Sequence, residues 1–227
     1  MKKTQMKTGA AVLVMAILLL AGCATFKSDM KGKYSAPAEK NFGADGVSAL
    51  FIFSHYRQTK GYDAIPKLDD RRQRIQGFDD FFQDALKEFS NIKTYATFTE
   101  YASDVNEPER RAIKDSLKST HDFILDIRFM REKKFARQFL GQIFSVMSVT
   151  LLPIAYSQTY TVDVDIYNAQ NQLIKSYSRQ AALTKWVQTL LIFVYPFHPE
   201  RRKKEEIYVD FLHNIFRQIE SEKVLRN

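Results

Sequence analysis

The chain has 227 residues, 45% of them hydrophobic and 13% aromatic, and a formal charge of +8. It is long enough to fill one good core, and too apolar and aromatic for a disordered chain. Its single cysteine excludes a disulfide framework within the chain, so packing alone must hold the fold.

At the amino terminus, Lys2, Lys3 and Lys7 precede an apolar run over 10–20, and the first 23 residues hold no acidic side chain. The run has the length of a secretory h-region and is too short to span a bilayer. It ends in Leu20-Ala21-Gly22-Cys23, which resembles the lipobox of bacterial lipoproteins. The resemblance implies that residues 1–22 are a signal peptide that is removed. It also implies that Cys23 carries a diacylglyceryl thioether and an N-acyl chain, with no other cofactor expected. Three acyl chains would hold far more firmly than one, which binds a membrane only marginally. Ala24 stands where an Asp would retain an enteric-type lipoprotein in the inner membrane. The resemblance therefore implies an outer-membrane protein facing the periplasm, if the source is Gram-negative. The alternative is an ordinary signal peptide whose cleavage site happens to hold a cysteine. Export leaves nucleic acid no role as partner for the remaining charge of +5, and anionic lipid headgroups fit it better.

Residues 23–45 are rich in Lys, Ser, Ala and Gly and read as a lipidated flexible tether to a single globular domain over 46–227. Within that domain, the apolar run at 48–56 predicts a buried strand. Residues 72–89 carry Ile75, Phe78, Phe82, Ala85, Leu86 and Phe89 at helical spacing. The Thr- and Tyr-rich stretch 93–101 predicts a strand. Asn106 is the expected cap of a helix running to about Leu117, with Pro108 inside it and Glu109 at the capping-box position. In 121–130, Phe123, Leu125, Ile127 and Phe129 share one face of a strand. A β-hairpin follows: Tyr160, Val162, Val164 and Ile166 alternate with polar residues, a turn at 169–171 reverses the chain, and 173–182 returns. The last element is an amphipathic helix over about 203–222. A βαβαβ start, a hairpin and a C-terminal helix predict an α+β or mixed α/β fold, with one sheet covered by helices. In element order alone this is similar to small envelope lipoproteins with a TolB-amino-domain arrangement, a likeness that carries over no site residue.

Two apolar inserts bracket the hairpin, at 139–155 and 186–197. Arg131, Lys133, Lys134 and Arg137 precede the first, and Arg201, Arg202, Lys203 and Lys204 follow the second. A spanning pair is excluded on two counts: the second insert, about a dozen residues, gives some 18 Å of helix against about 30 Å of hydrocarbon, and a crossing pair would leave both basic clusters on the non-cytoplasmic side with Cys23, against the positive-inside rule. Two readings stay open. The inserts are core elements, or they dip into the headgroup layer with Trp186 and Tyr195 at the interface and the flanking cations on anionic lipid. A groove for an apolar ligand or partner helix is a third use of the same residues.

Sites for chemistry are sparse. His55, His121, His198 and His213 fit no metal-binding pattern, and no metal is expected. No nucleophile elbow or phosphate-binding glycine loop occurs. Asp163 and Asp165, with Asp126 on another strand, form the one carboxylate constellation, and a solvated sheet face accounts for it. The expectation is a non-catalytic envelope accessory lipoprotein that contacts a protein partner or the membrane surface. An apolar-ligand carrier is the alternative, and an enzyme using the Asp163/Asp165 face a distant third.

Overall fold

Apolar alternation in the long strands builds one mixed sheet. The computed structural model describes residues 22–37, 40, 43, 45–70, 78–135, 139–140, 143, 154–188 and 200–226. Among them, the elements in chain order are β1 (Gly22–Lys27), β2 (Val47–Lys60), β3 (Lys67–Leu68), α1 (Phe78–Leu86), β4 (Ile92–Glu100), α2 (Pro108–Ser119), β5 (Phe123–Lys134), β6 (Ile154–Asn168), β7 (Leu173–Gln188) and α3 (Glu200–Ser221). The seven strands run in the order β1-β7-β6-β5-β2-β3, with β4 paired along the first part of β2. The β2–β4 and β2–β5 pairs are parallel and the others antiparallel. From β2 the chain steps one way to β4, then back across β2 to β5. Both crossovers keep one hand only if their helices take opposite faces, as α1 and α2 do.

The first face carries the main core. Ala49, Phe51 and Phe53 of β2, Leu125, Ile127 and Phe129 of β5, and Val162, Val164 and Ile166 of β6 lie against α1 and α3. The stripe Ile207, Phe211, Leu212, Ile215, Phe216 and Ile219 puts one side of α3 into this layer with at most 1% of each residue exposed. Rings meet edge to face, as in Phe51–Phe82 (4.9 Å), Phe53–Phe78 (4.8 Å) and Phe129–Tyr208 (4.9 Å), the arrangement their quadrupoles favour. Glu88, just after α1, binds His213 Nδ1 and Arg217 Nη2 of α3, each at 2.9 Å. On the second face, Leu117 of α2 packs on Leu50, Ile52, Phe98 and Ile124, while Ser176 and Ser178 of β7 stay exposed.

The structure corrects four details of the sequence reading. The tether begins as structure: β1 pairs with β7, with Cys23 opposite Val187 and Lys27 opposite Leu183. An uncovered β7 would present a row of unpaired backbone groups, and β1 satisfies them without needing an apolar pattern of its own. The return strand runs past Ala182 to Gln188 between β1 and β6, so Trp186, read as the start of the second insert, is in β7. The N-cap position of α2 is Glu107, which makes no side-chain capping hydrogen bond, with Pro108 at the first helical position, because Asn106 closes a 3₁₀ turn over Ala102–Asn106. Finally, β2 and β5 run to Lys60 and Lys134, several polar residues beyond their apolar alternation. The reading of 72–89 as helix holds for Phe78–Leu86, and 71–77 lie outside the described residues.

Candidate functional site

Register decides which residues share an end of the sheet. Cys23 lies opposite Val187, and Val187 in turn lies opposite Ile154. Lys133 of β5 is opposite Gln158, and Lys60 of β2 is opposite Lys134. The start of β1, the ends of β2, β5 and β7 and the start of β6 therefore gather at one pole. Helix α3 begins there too. Tyr208 touches Phe129 and Tyr160, Phe216 lies farther down against Phe51 and Phe89, and Ser90 binds Glu220 near the other end.

Connectivity places the junctions of both inserts at this pole. The chain leaves the sheet at Lys134 and returns at Ile154, then leaves again at Gln188 and returns at Glu200. Most of 139–155 and all of 189–197 lie outside the described residues, so only their junctions are placed.

Among the described residues, exposed apolar side chains concentrate here. Tyr62 is 76% exposed, Ile65 70%, Phe139 52% and Leu140 53%, and Phe135 and Ile143 are also exposed. Tyr62 stacks on Phe135, and Phe135 on Phe139, with centroids 5.9 Å apart in each pair. Trp186 is partly exposed on β7, two strands from β5. The sequence reading missed Tyr62, Ile65 and Phe135. Gly61, at φ 92°, is the available signal for the turn that lifts Tyr62 clear of the sheet.

The cations predicted from sequence separate into groups. Arg131 and Lys133 alternate with Lys134 along β5, so the first two share the α3 side and Lys134, which is exposed, takes the other. Lys60 binds Glu132 at 2.9 Å, and Arg57 binds Asp69 at 3.2 Å, which neutralises part of this charge. Arg137 lies outside the described residues. Arg201, Arg202, Lys203 and Lys204 are in the first turns of α3, where only the backbone is described. Trp186 and Arg131, Lys133 and Lys134 of β5 thus come to the same pole as Cys23, in a sheet where β1 and β5 are three strand spacings, about 14 Å, apart.

Two other places bring titratable side chains together. On the second sheet face, Asp126 lies opposite Asp165, and Arg128 opposite Asp163. Asp165 binds Arg128 and accepts a hydrogen bond from Ser176 at 2.5 Å, so it serves the sheet surface. Burial holds the Asp126 carboxyl above its usual range, and its Oδ1 is buried with no hydrogen-bond partner. Near the ends of β2 and β4, a cavity of about 60 Å³ is lined by Phe53, His55, Asp69, Phe78, Phe82 and Glu100, among others. That is room for about two waters. His55 stacks on Phe129 at 4.8 Å, and burial lowers its pKa to about 4, leaving a neutral ring near pH 7. No group of His, Asp, Glu or Cys among the described residues is arranged to hold a metal, and no helix among them is long and apolar enough to cross a membrane.

No protein-family model matches the chain, and neither does any curated protein. Among solved structures it is similar to a PelC dodecamer from Paraburkholderia phytofirmans (10% identity, 74% of this chain and 83% of that chain, TM-score 0.25). It is likewise similar to a single-substitution variant of that assembly (11%, 74% and 84%, TM-score 0.25). At these scores the likenesses carry no argument about function.

Proposed function

We propose that this chain is a cell-envelope lipoprotein of the accessory, non-catalytic kind, held on a membrane by an acylated Cys23 and in contact with that membrane through the pole around it. The observation that carries the reading is the shared pole: strand register puts Cys23 at the end where both apolar inserts leave the sheet and where the stacked aromatics are exposed. Aromatic and aliphatic side chains suit the headgroup layer, and nearby Lys and Arg suit anionic headgroups at about 1 kcal/mol each. A protein partner would be met by the remaining surface. An apolar-ligand carrier finds less support, since the cavity near His55 holds only about 60 Å³, and the larger slot beside α3, about 560 Å³, is lined by the charged side chains Lys27, Asp29, Lys33, Asp210 and Arg217 as well as apolar ones.

The test is the mass and location of the mature protein. A membrane-extracted protein beginning at Cys23, heavier by a diacylglyceryl group and an acyl chain, is expected. Cys23→Ala should leave an unprocessed precursor. An unmodified, soluble mature protein would overturn the reading.

A further inference from the structure

The chain after β1 stays on the domain. Ser28 N donates to Ala182 O at 2.8 Å, and Ser28 Oγ accepts from Ala182 N at 2.8 Å. Lys31 and Gln180 form a bridge, with Lys31 N donating to Gln180 O at 2.8 Å. Gly32 then turns at φ 76°, and a Cβ there would sit 2.9 Å from Ser178 O, so the close approach requires glycine. At Tyr34 the chain meets a clamp. Asn214 Oδ1 accepts from Tyr34 N and Asn214 Nδ2 donates to Tyr34 O, both at 2.9 Å.

The clamp is itself held in place. Arg179, 4% exposed, donates Nε to Asn214 Oδ1 at 2.7 Å, Nη1 to Ser178 O at 2.8 Å and Nη2 to Gln218. A buried guanidinium with one donor from each of its three nitrogens engaged by a neutral acceptor fixes the amide of Asn214 in the one orientation that serves both backbone groups of Tyr34. At the other end, Lys27 pairs with Asp210 of α3. Between these two ties lies a slot of about 560 Å³, lined by Met30, Lys33, Ile207, Phe211 and Arg217 among others. The segment is therefore held by discrete ties more than by packing.

We propose that residues 25–34 are a rigid strap that fixes the distance and tilt between the lipid anchor and the sheet. This rests on the acylated-Cys23 reading and deepens it. A free chain over 23–45 could extend to roughly 75 Å, long enough to carry the domain far from its membrane. The strap removes that reach. The domain stands with the Cys23 pole at the bilayer, and it engages only partners that themselves lie at, or come to, that membrane surface. Arg179 is a positioning residue that acts through Asn214.

Trypsin tests this, because Lys27, Lys31 and Lys33 are all in or beside the strap. The full mature protein, purified from membranes and reconstituted into phosphatidylglycerol-containing vesicles, is digested and its cleavage sites are timed by mass spectrometry. The expected result is cleavage at Lys27, Lys31 and Lys33 at least tenfold slower than in a free peptide spanning 23–37. Asn214→Ala and, separately, Gly32→Val should each speed cleavage at Lys31 and Lys33 at least tenfold, after which raised salt should release the cut domain from the vesicles. Cleavage of the unaltered protein at the peptide's rate would overturn the strap, whatever the variants do. Unchanged rates in both variants, with circular dichroism unchanged, would overturn the clamp. The intact mass of the same preparation reads acylation independently, so failure of the anchor and failure of the strap are separate results.

Discussion

The two ends of this sheet treat their side chains differently. At the hairpin pole, the turn between β6 and β7 is closed by its own polar groups: Asn168 Oδ1 accepts from the backbone N–H of Gln170 and Gln172, and Asn171 supplies the positive φ. Asp122 accepts from Ser48 N and Ser48 Oγ at the start of β2, both at 2.8 Å. At the Cys23 pole, about 50 Å away along the 15 residues of β6, aromatic rings stack in the open on Tyr62, Phe135 and Phe139. Backbone economy explains the turns of the first end, although Leu173 and Ile174 are exposed there as well. The second is the surface that the proposed membrane contact would use, since contiguous exposed apolar surface marks an interface.

Substitutions should separate a pole built for contact from a core built for stability. The largest effect belongs to the core. Phe216→Ala removes a ring with no exposure that touches Phe51, Phe82 and Phe89, and should cost about 3–5 kcal/mol in urea unfolding. Phe139→Ala at the Cys23 pole should change stability by less than about 0.5 kcal/mol. A large loss there would mean the pole is core after all. Next come the cations. Replacing Lys133 and Lys134 by Gln should weaken binding to anionic vesicles by about 2 kcal/mol, roughly thirtyfold, with a shallower salt dependence and unaltered folding.

Smaller effects come from titration, with opposite signs on the two faces. Burial raises the Asp126 pKa, so its ionised form opposes folding above that pKa and the penalty vanishes below the usual carboxylate range. Asp126→Asn should therefore stabilise by about 1 kcal/mol at pH 7, and by progressively less as the pH falls through that range. For Glu88, burial pushes the pKa up, but hydrogen bonds from Arg217 and His213 outweigh it and hold the carboxyl below its usual range. Its contribution is complete above the unfolded-state value and is lost as pH falls through the folded one. Allowing for solvent screening, Glu88→Gln should cost about 0.5 kcal/mol at pH 7 and nothing near pH 2, read from urea midpoints across pH.

The sequence was informative wherever one face of an element is buried. The periodic residues of β2, β5, β6 and α3 are the ones that fill the core, and the mixed single sheet with helices follows from their order. It was silent where structure comes from backbone pairing. Thr25 is 1% exposed, yet β1 carries no apolar alternation, so its partnership with β7 across more than 150 residues left no local mark. The polar ends of β2 and β5 escaped for the same reason: Gln58 and Thr59 pair in register with Glu132 and Lys133 without contributing to the core. Composition marked the cations of the candidate site, but only register could bring Trp186, Lys133 and Cys23 to one end.

The measurement that tests the central claim most directly is flotation of residues 23–227 with Cys23→Ser, made without the signal segment, on vesicles with and without anionic lipid. The account predicts that this unacylated domain floats with anionic vesicles and that raised salt releases it, because the Cys23 pole binds the membrane by itself. A domain that stays soluble and monomeric at low salt with both vesicle types would contradict it, leaving the acyl chains as the whole of the membrane attachment.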